Sequence, residues 1–203
     1  MSARPLDRFY PIVADADWVA RMIAAGARLI QLRAKGMEPA ELRRHIARAR
    51  DLCAAAGAQL VVNDHWALAL ELGCDFVHLG QSDLDGADLA ALRRAGVRLG
   101  VSTHDEAERA RALETQPDYV ALGPIYPTVL KHMPWAPQGL ERIGAWKRAI
   151  GARPLVAIGG LTIERARLCL AAGAQSAAVV TDIVTSQEPE ARARAWRAAL
   201  GSV

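Results

Sequence analysis

Tyr119-Val120-Ala121-Leu122-Gly123-Pro124-Ile125-Tyr126-Pro127-Thr128-Val129-Leu130-Lys131 is the stretch whose reading decides the fold. Its first four residues form a short apolar run that reads as a buried strand. The Gly123-Pro124 pair then turns the chain into a loop carrying Thr128, Lys131, His132 and Trp135. A strand that ends in reactive side chains, inside an alternation of strands and helices, marks the mouth of a parallel α/β barrel. That is where such folds do chemistry.

The alternation extends in both directions. Apolar runs predict strands at Phe9 to Val13, Leu29 to Leu32, Gln59 to Val62, Phe76 to Leu79, Arg98 to Val101, Tyr119 to Leu122, Leu155 to Ile158 and Ala177 to Val180. Ala/Arg/Leu-rich patterns between them predict helices near 16–25, 38–55, 65–72, 86–95, 104–114, 140–150, 163–172 and 188–199. Near-continuous apolar strands fit parallel strands buried on both faces. Eight strand–helix units predict an α/β protein, a single-domain TIM (β/α)8 barrel with residues 1–203 as one catalytic domain. Gly26, Gly57, Gly73, Gly96 and Gly173 each stand where a helix should end in a left-handed cap before a strand. An open doubly wound sheet is the alternative, but no G-x-G-x-x-G opens a helix after the first strand. The stretch from about Tyr126 to Gln138 is long enough for a functional loop or lid.

Composition narrows the function. A hydrophobic fraction of 52% with 23% charged residues supports a substantial core. The net charge of +3 is small and scattered, with no Lys/Arg run or aromatic-interleaved stripe, so nucleic acid is not expected as a partner. A few cations aimed at an anionic ligand fit better. Cys53, Cys74 and Cys169 lack C-x-x-C spacing and read as packed free thiols in a reducing compartment. Neither a signal peptide nor a bilayer-spanning run is expected, and the cytoplasm is the expected location. No H-E-x-x-H or Cys/His cluster suggests zinc. Oligomeric state is left open, a homo-oligomer included.

Candidate site residues follow from the strand ends. Alternation places Gln31, Arg33 and Lys35 on one side at the end of strand 2, where an amide, a guanidinium and an ammonium would converge on phosphate oxygens. A surface salt-bridge patch is the plainer reading. Two of the three lysines, Lys35 and Lys131, lie at strand ends or in the loop beyond, which favours a ligand. Asn63 and Asp64 end strand 3 and would otherwise be a helix N-cap pair. Asp83 follows strand 4, and with Asp64 it makes a pair of carboxylates beside the cationic cluster, suited to Mg²⁺. Ser102 follows strand 5 as a hydrogen-bond donor or a cap. Gly160 after strand 7, and the amides of Val180 and Thr181 after strand 8, suggest a second anion site. Trp18, Trp66, Trp146 and Trp196 read as packing, and Trp135 as a ligand or lid residue.

Eight segments in order carry a resemblance over nearly the whole chain. They are Gln31–Lys35, Val62–Asp64, Val77–Asp83, Leu99–His104, Gly123–Lys131, Pro137–Gly139, Ile158–Gly160 and Val179–Thr181. In these the chain resembles the thiamine-phosphate synthase family. The resemblance implies an enzyme that joins a hydroxymethylpyrimidine diphosphate to a thiazole phosphate and releases pyrophosphate. It implies that Gln31, Arg33, Lys35, Asn63, Ser102 and Lys131 hold the pyrimidine diphosphate, with Arg33, Lys35, Ser102 and Lys131 acting in catalysis. Asp64 and Asp83 would hold Mg²⁺. Thr128, Leu130, Gly160, Val180 and Thr181 would hold the thiazole phosphate. Leu130 departs from the family, which often has a hydroxyl residue there. A thiazole tautomerase on the same barrel would have little use for Arg33, Lys35, Asp64 and Asp83 together. A Schiff-base aldolase would want its lysine buried on a strand. A non-catalytic sensor of a phosphate ligand is the reading from another class.

Overall fold

Eight short strands hydrogen-bond in parallel, each to the next in sequence, and the last returns to the first to close a barrel. The computed structural model describes residues 5–128 and 135–201. The strands are β1 (Phe9–Val13), β2 (Leu29–Leu32), β3 (Gln59–Asn63), β4 (Phe76–Leu79), β5 (Arg98–Thr103), β6 (Tyr119–Leu122), β7 (Leu155–Ile158) and β8 (Ser176–Val179). The helices are α1 (Ala16–Ala24), α2 (Pro39–Ala56), α3 (Trp66–Glu71), α4 (Gln81–Leu84), α5 (Leu89–Arg94), α6 (Glu106–Glu114), α7 (Gly139–Ile150), α8 (Ile163–Ala171), α9 (Thr181–Val184) and α10 (Pro189–Leu200). The architecture is the expected TIM barrel. Two single-turn helices, α4 and α9, were not expected, because one turn is too short to show a 3.6-residue period. Strands β3 and β5 run further than predicted, and Val180 lies just past β8 rather than within it.

Alternation along each strand divides the apolar residues into two layers. Tyr10, Leu29, Val61, Phe76, Tyr119 and Val156 belong to the group that fills the barrel. Phe9, Ile30, Val62, Val77, Val120 and Leu155 face the helices, where Trp146 and Trp196 are fully buried as predicted. Trp146 donates from Nε1 to Thr103 Oγ1 at 3.0 Å, and Thr103 donates on to the Ala121 carbonyl at 2.9 Å. That chain ties α7 to β5 and β6 while satisfying every buried polar atom it uses.

Local chemistry sets the helix ends. Asp15, Asp105 and Thr162 cap α1, α6 and α8 through side-chain oxygens. The five glycines singled out in the sequence all take positive φ. No helix among the described residues is long and apolar enough to cross a membrane.

Candidate active site

The C-terminal ends of the strands bring the predicted charges together. After β3 the chain turns sharply, His65 N donating to the Asn63 carbonyl at 2.7 Å and Trp66 N to that of Asp64 at 2.8 Å. Asp64 takes φ +62°, a left-handed conformation uncommon outside glycine. No side chain caps α3, so the capping role open to Asn63 and Asp64 in the sequence is not used. The Asp64 carboxylate instead receives the Lys35 ammonium, while Asp83 accepts the Gly80 N–H at 3.0 Å.

Asp64 and Asp83 also act on each other, and their acidities split. Burial pushes Asp64 up, but the bond and charge of Lys35 outweigh it and hold the carboxyl below its usual range. Burial, then the charge of Asp64, raises Asp83. Two carboxylates in one place cannot both ionise cheaply without a cation. Among the described residues no cluster of three or more His, Cys, Asp or Glu gathers. A hard cation such as Mg²⁺ needs no such cluster, since it takes one or two carboxylates and completes its shell with water and phosphate oxygens. The donor set at Asp64 and Asp83 fits it. Arg33 and Lys35 both remain exposed at this rim, where a ligand can reach them.

Below the rim a file of polar groups crosses the barrel interior. Gln31 donates from Nε2 to the Tyr10 hydroxyl at 2.9 Å, and that hydroxyl meets the Tyr119 hydroxyl at 3.0 Å. The Tyr119 hydroxyl bonds His78 Nδ1 at 2.7 Å, and His78 Nε2 bonds Ser102 Oγ at 2.8 Å. Burial pushes the His78 pKa down from 6.5 to about 4, despite the attraction of Asp64, and Arg33 adds to the depression. The ring is therefore neutral at pH 7. Ser102, like Asp64, is no helix cap: Asp105 does that work for α6. Gln31 and Asn63 are buried at the ends of their strands.

Across the mouth lies the second predicted site. Gly160 has φ +65°, and a Cβ there would stand 2.3 Å from the Pro127 carbonyl oxygen, so only glycine fits under this loop. Arg165 donates to the Gly160 carbonyl at 2.6 Å and lies 4.5 Å over the Tyr126 ring. Val180 is the N-cap of α9 and Thr181 its first residue, so their amides sit where a helix leaves N–H groups without intrahelical partners. Asp182 fixes that turn, accepting from Arg192 at 2.8 and 3.1 Å and from Trp196 Nε1 at 2.5 Å. Thr128 is half-buried at the loop entrance. Leu130, Lys131 and His132 lie outside the described residues.

Trp135 stacks on His104 with ring centroids 3.9 Å apart and planes 11° apart. Glu108 receives the His104 backbone N–H at 2.8 Å and meets its Nδ1 at 2.7 Å, and Gln138 donates to the His104 carbonyl at 2.8 Å. His104, His78, Tyr10 and Tyr119 were not singled out as site residues from the sequence. One signal was available: Gly100 interrupts β5, and a strand glycine often marks a close approach.

The chain is similar to known proteins along almost its whole length. Residues 10–183 match the family model described as thiamine monophosphate synthase. The thiamine-phosphate synthase of Rhizobium etli is 59% identical over 194 residues, covering 96% of this chain and 95% of that protein. The thiamine-phosphate synthase of Neisseria meningitidis serogroup B is 48% identical over 191 residues, covering 94% and 93%. Among solved structures, the thiamine phosphate pyrophosphorylase from Pyrococcus furiosus superposes with a TM-score of 0.83 at 24% identity, covering 95% of both chains.

Proposed function

The chain belongs to the thiamine monophosphate synthase family and is a transferase, and on that premise we propose that it joins a hydroxymethylpyrimidine diphosphate to a thiazole phosphate, ordinary or carboxylated, and releases pyrophosphate. The observation that carries this reading is the Asp64 carboxylate bonded to Lys35, with Asp83 acting on it and Arg33 exposed at the end of the neighbouring strand. A single monophosphate would not call for that much charge of both signs.

Arg33 and Lys35, with Lys131 from the loop, bind the diphosphate and stabilise the negative charge that builds on it as the carbon–oxygen bond breaks. Mg²⁺, held by Asp64 and Asp83, supplies further neutralisation of that charge when bound. Gln31, Asn63 and Ser102 hold the pyrimidine over the barrel interior. Thr128, Leu130, Gly160, Val180 and Thr181 hold the thiazole phosphate, so that its ring nitrogen is in line to capture the pyrimidine cation. A dissociative path needs no protein nucleophile or general base. His78 suits that, since it is buried and neutral with both ring nitrogens engaged. The three free cysteines are buried, which fits action in the reducing cytoplasm.

Detection of thiamine phosphate by mass spectrometry, from the two substrates and Mg²⁺, tests the reading. A rearranged thiazole phosphate with no diphosphate consumed would point to isomerisation instead. Tight product binding without turnover would point to a sensor.

A further inference from the structure

The polar file inside the barrel is costly, and its cost needs an explanation. Phenol and imidazole groups fill positions that aliphatic side chains occupy elsewhere in such interiors, and each buried polar atom demands a partner. Room has also been cleared for one member. A Cβ at Gly100 would lie 2.1 Å from the Tyr119 ring, so β5 gives up a side chain to seat Tyr119. The ring is then held on three sides, stacked on His78 at 5.5 Å and edge-on to Phe76 and Tyr10 at 5.6 and 6.2 Å. Those contacts are what packing requires. None of them uses the hydroxyl.

The hydroxyl sets a direction. Gln31 Nε2 can only donate, and it faces the Tyr10 oxygen. Either hydroxyl of the Tyr10–Tyr119 pair could donate, and the arrangement that gives each proton of the file an acceptor has Tyr10 donating to the Tyr119 oxygen and Tyr119 donating to His78 Nδ1. A neutral imidazole accepting at Nδ1 carries its proton on Nε2, and Nε2 faces Ser102 Oγ. Ser102 therefore accepts from inside the barrel, and its own proton is left for the mouth. We infer that Tyr119 is a positioning residue: acting through His78, it fixes the Ser102 hydroxyl as a donor toward an acceptor atom of the pyrimidine diphosphate. This rests on the diphosphate site proposed above, with Ser102 as the group that touches substrate and Tyr119 as the one that aims it.

The test is a double-mutant cycle together with a tautomer measurement. Tyr119→Phe keeps the ring and its packing, so the melting temperature reports any loss of fold separately. The variant should lower kcat/KM for the pyrimidine diphosphate about tenfold, the scale of one hydrogen bond to a polar ligand, while KM for the thiazole phosphate holds. Made on top of Ser102→Ala, it should cost less than about twofold more, because the group it aims is already gone. In ¹⁵N-labelled wild type at pH 7, the His78 ring, identified by its absence in His78→Gln, should be the Nε2–H tautomer, and Tyr119→Phe should lose that fixed state. Multiplicative losses in the cycle, an equal loss toward both substrates, or an Nδ1–H ring in wild type would each overturn the inference. A folded wild type that makes no thiamine phosphate would overturn the proposed reaction, whereas the tautomer is read without turnover and judges the polar file by itself.

Discussion

At the floor of the barrel Arg98 lies 4.1 Å over the Phe76 ring and donates to Gln59 and, at 3.5 Å, to Asp75. Gln59 in turn donates to Asp75 at 2.9 Å, and Asp118 accepts the Leu99 N–H at 2.8 Å. These groups hold the strand starts in register, and each is matched by an opposite charge or a hydrogen-bond donor. At the mouth, Asp64 and Asp83 act on each other as like charges, and Lys35 is bonded to Asp64. Charge at the floor is used up within the fold, whereas charge at the mouth is held in tension that a cation and a diphosphate would relieve. A cleft of about 950 Å³ lies at the floor, lined by Arg50, Gln59, Asp75, Arg98 and Asp118 among others. Its lining is committed to internal bonds, so volume is a poorer guide to chemistry here than electrostatic frustration.

The comparison can be broken most sharply at the mouth. Asp83→Asn and Arg33→Ala should each lower turnover on the order of 100-fold, the scale of removing one preorganised charge-stabilising group. Asp83→Asn should melt at or above the wild-type temperature because it relieves repulsion with Asp64, and Arg33→Ala should melt close to it because Arg33 is exposed. Near-wild-type turnover in either variant would remove the diphosphate assignment. Gly100→Ala should destabilise the fold by about 1–3 kcal/mol through overpacking, measured by denaturant unfolding, because its methyl collides with the Tyr119 ring. An unaffected variant would mean that the barrel interior yields easily.

Arg98→Ala should cost about 1–2 kcal/mol of stability and leave kcat/KM unchanged, because the floor does no chemistry. Lost activity in a stable Arg98→Ala protein would blur the division between the two ends. The smallest effect concerns the thiols of the helix layer. Burial pushes Cys53 and Cys169 up to about 12 and Cys74 to about 11. All three therefore stay protonated at pH 8, and a thiol reagent should label them only as fast as the protein opens. Immediate labelling of one in the native state would place it nearer solvent than the packing does.

Most of the barrel could be read from the sequence because parallel strands buried on both faces leave unbroken apolar runs, such as Leu29–Leu32 and Tyr119–Leu122. The charged rim was legible for a related reason. Polar residues directly after such runs, Arg33, Lys35, Asp64 and Asp83, have no core to join. The interior file was not legible. Its members stand on β1, β2, β4, β5 and β6, and what joins them is closure of the barrel, which no local pattern encodes. Asp64 and Ser102 were ambiguous for a different reason, since a residue before a helix reads equally well as cap or ligand until the backbone is seen. The start of α3 without a side-chain cap and the capping of α6 by Asp105 exclude the cap for both. The stack of Trp135 on His104 joins two residues thirty-one apart by sequence number, with neither in a periodic pattern.

Pyrophosphate release from hydroxymethylpyrimidine diphosphate and thiazole phosphate, with and without Mg²⁺, bears most directly on the mouth as a site of diphosphate chemistry. The account predicts release that requires both substrates and the metal. A folded protein that releases none, or that releases it equally well without the metal, would contradict it.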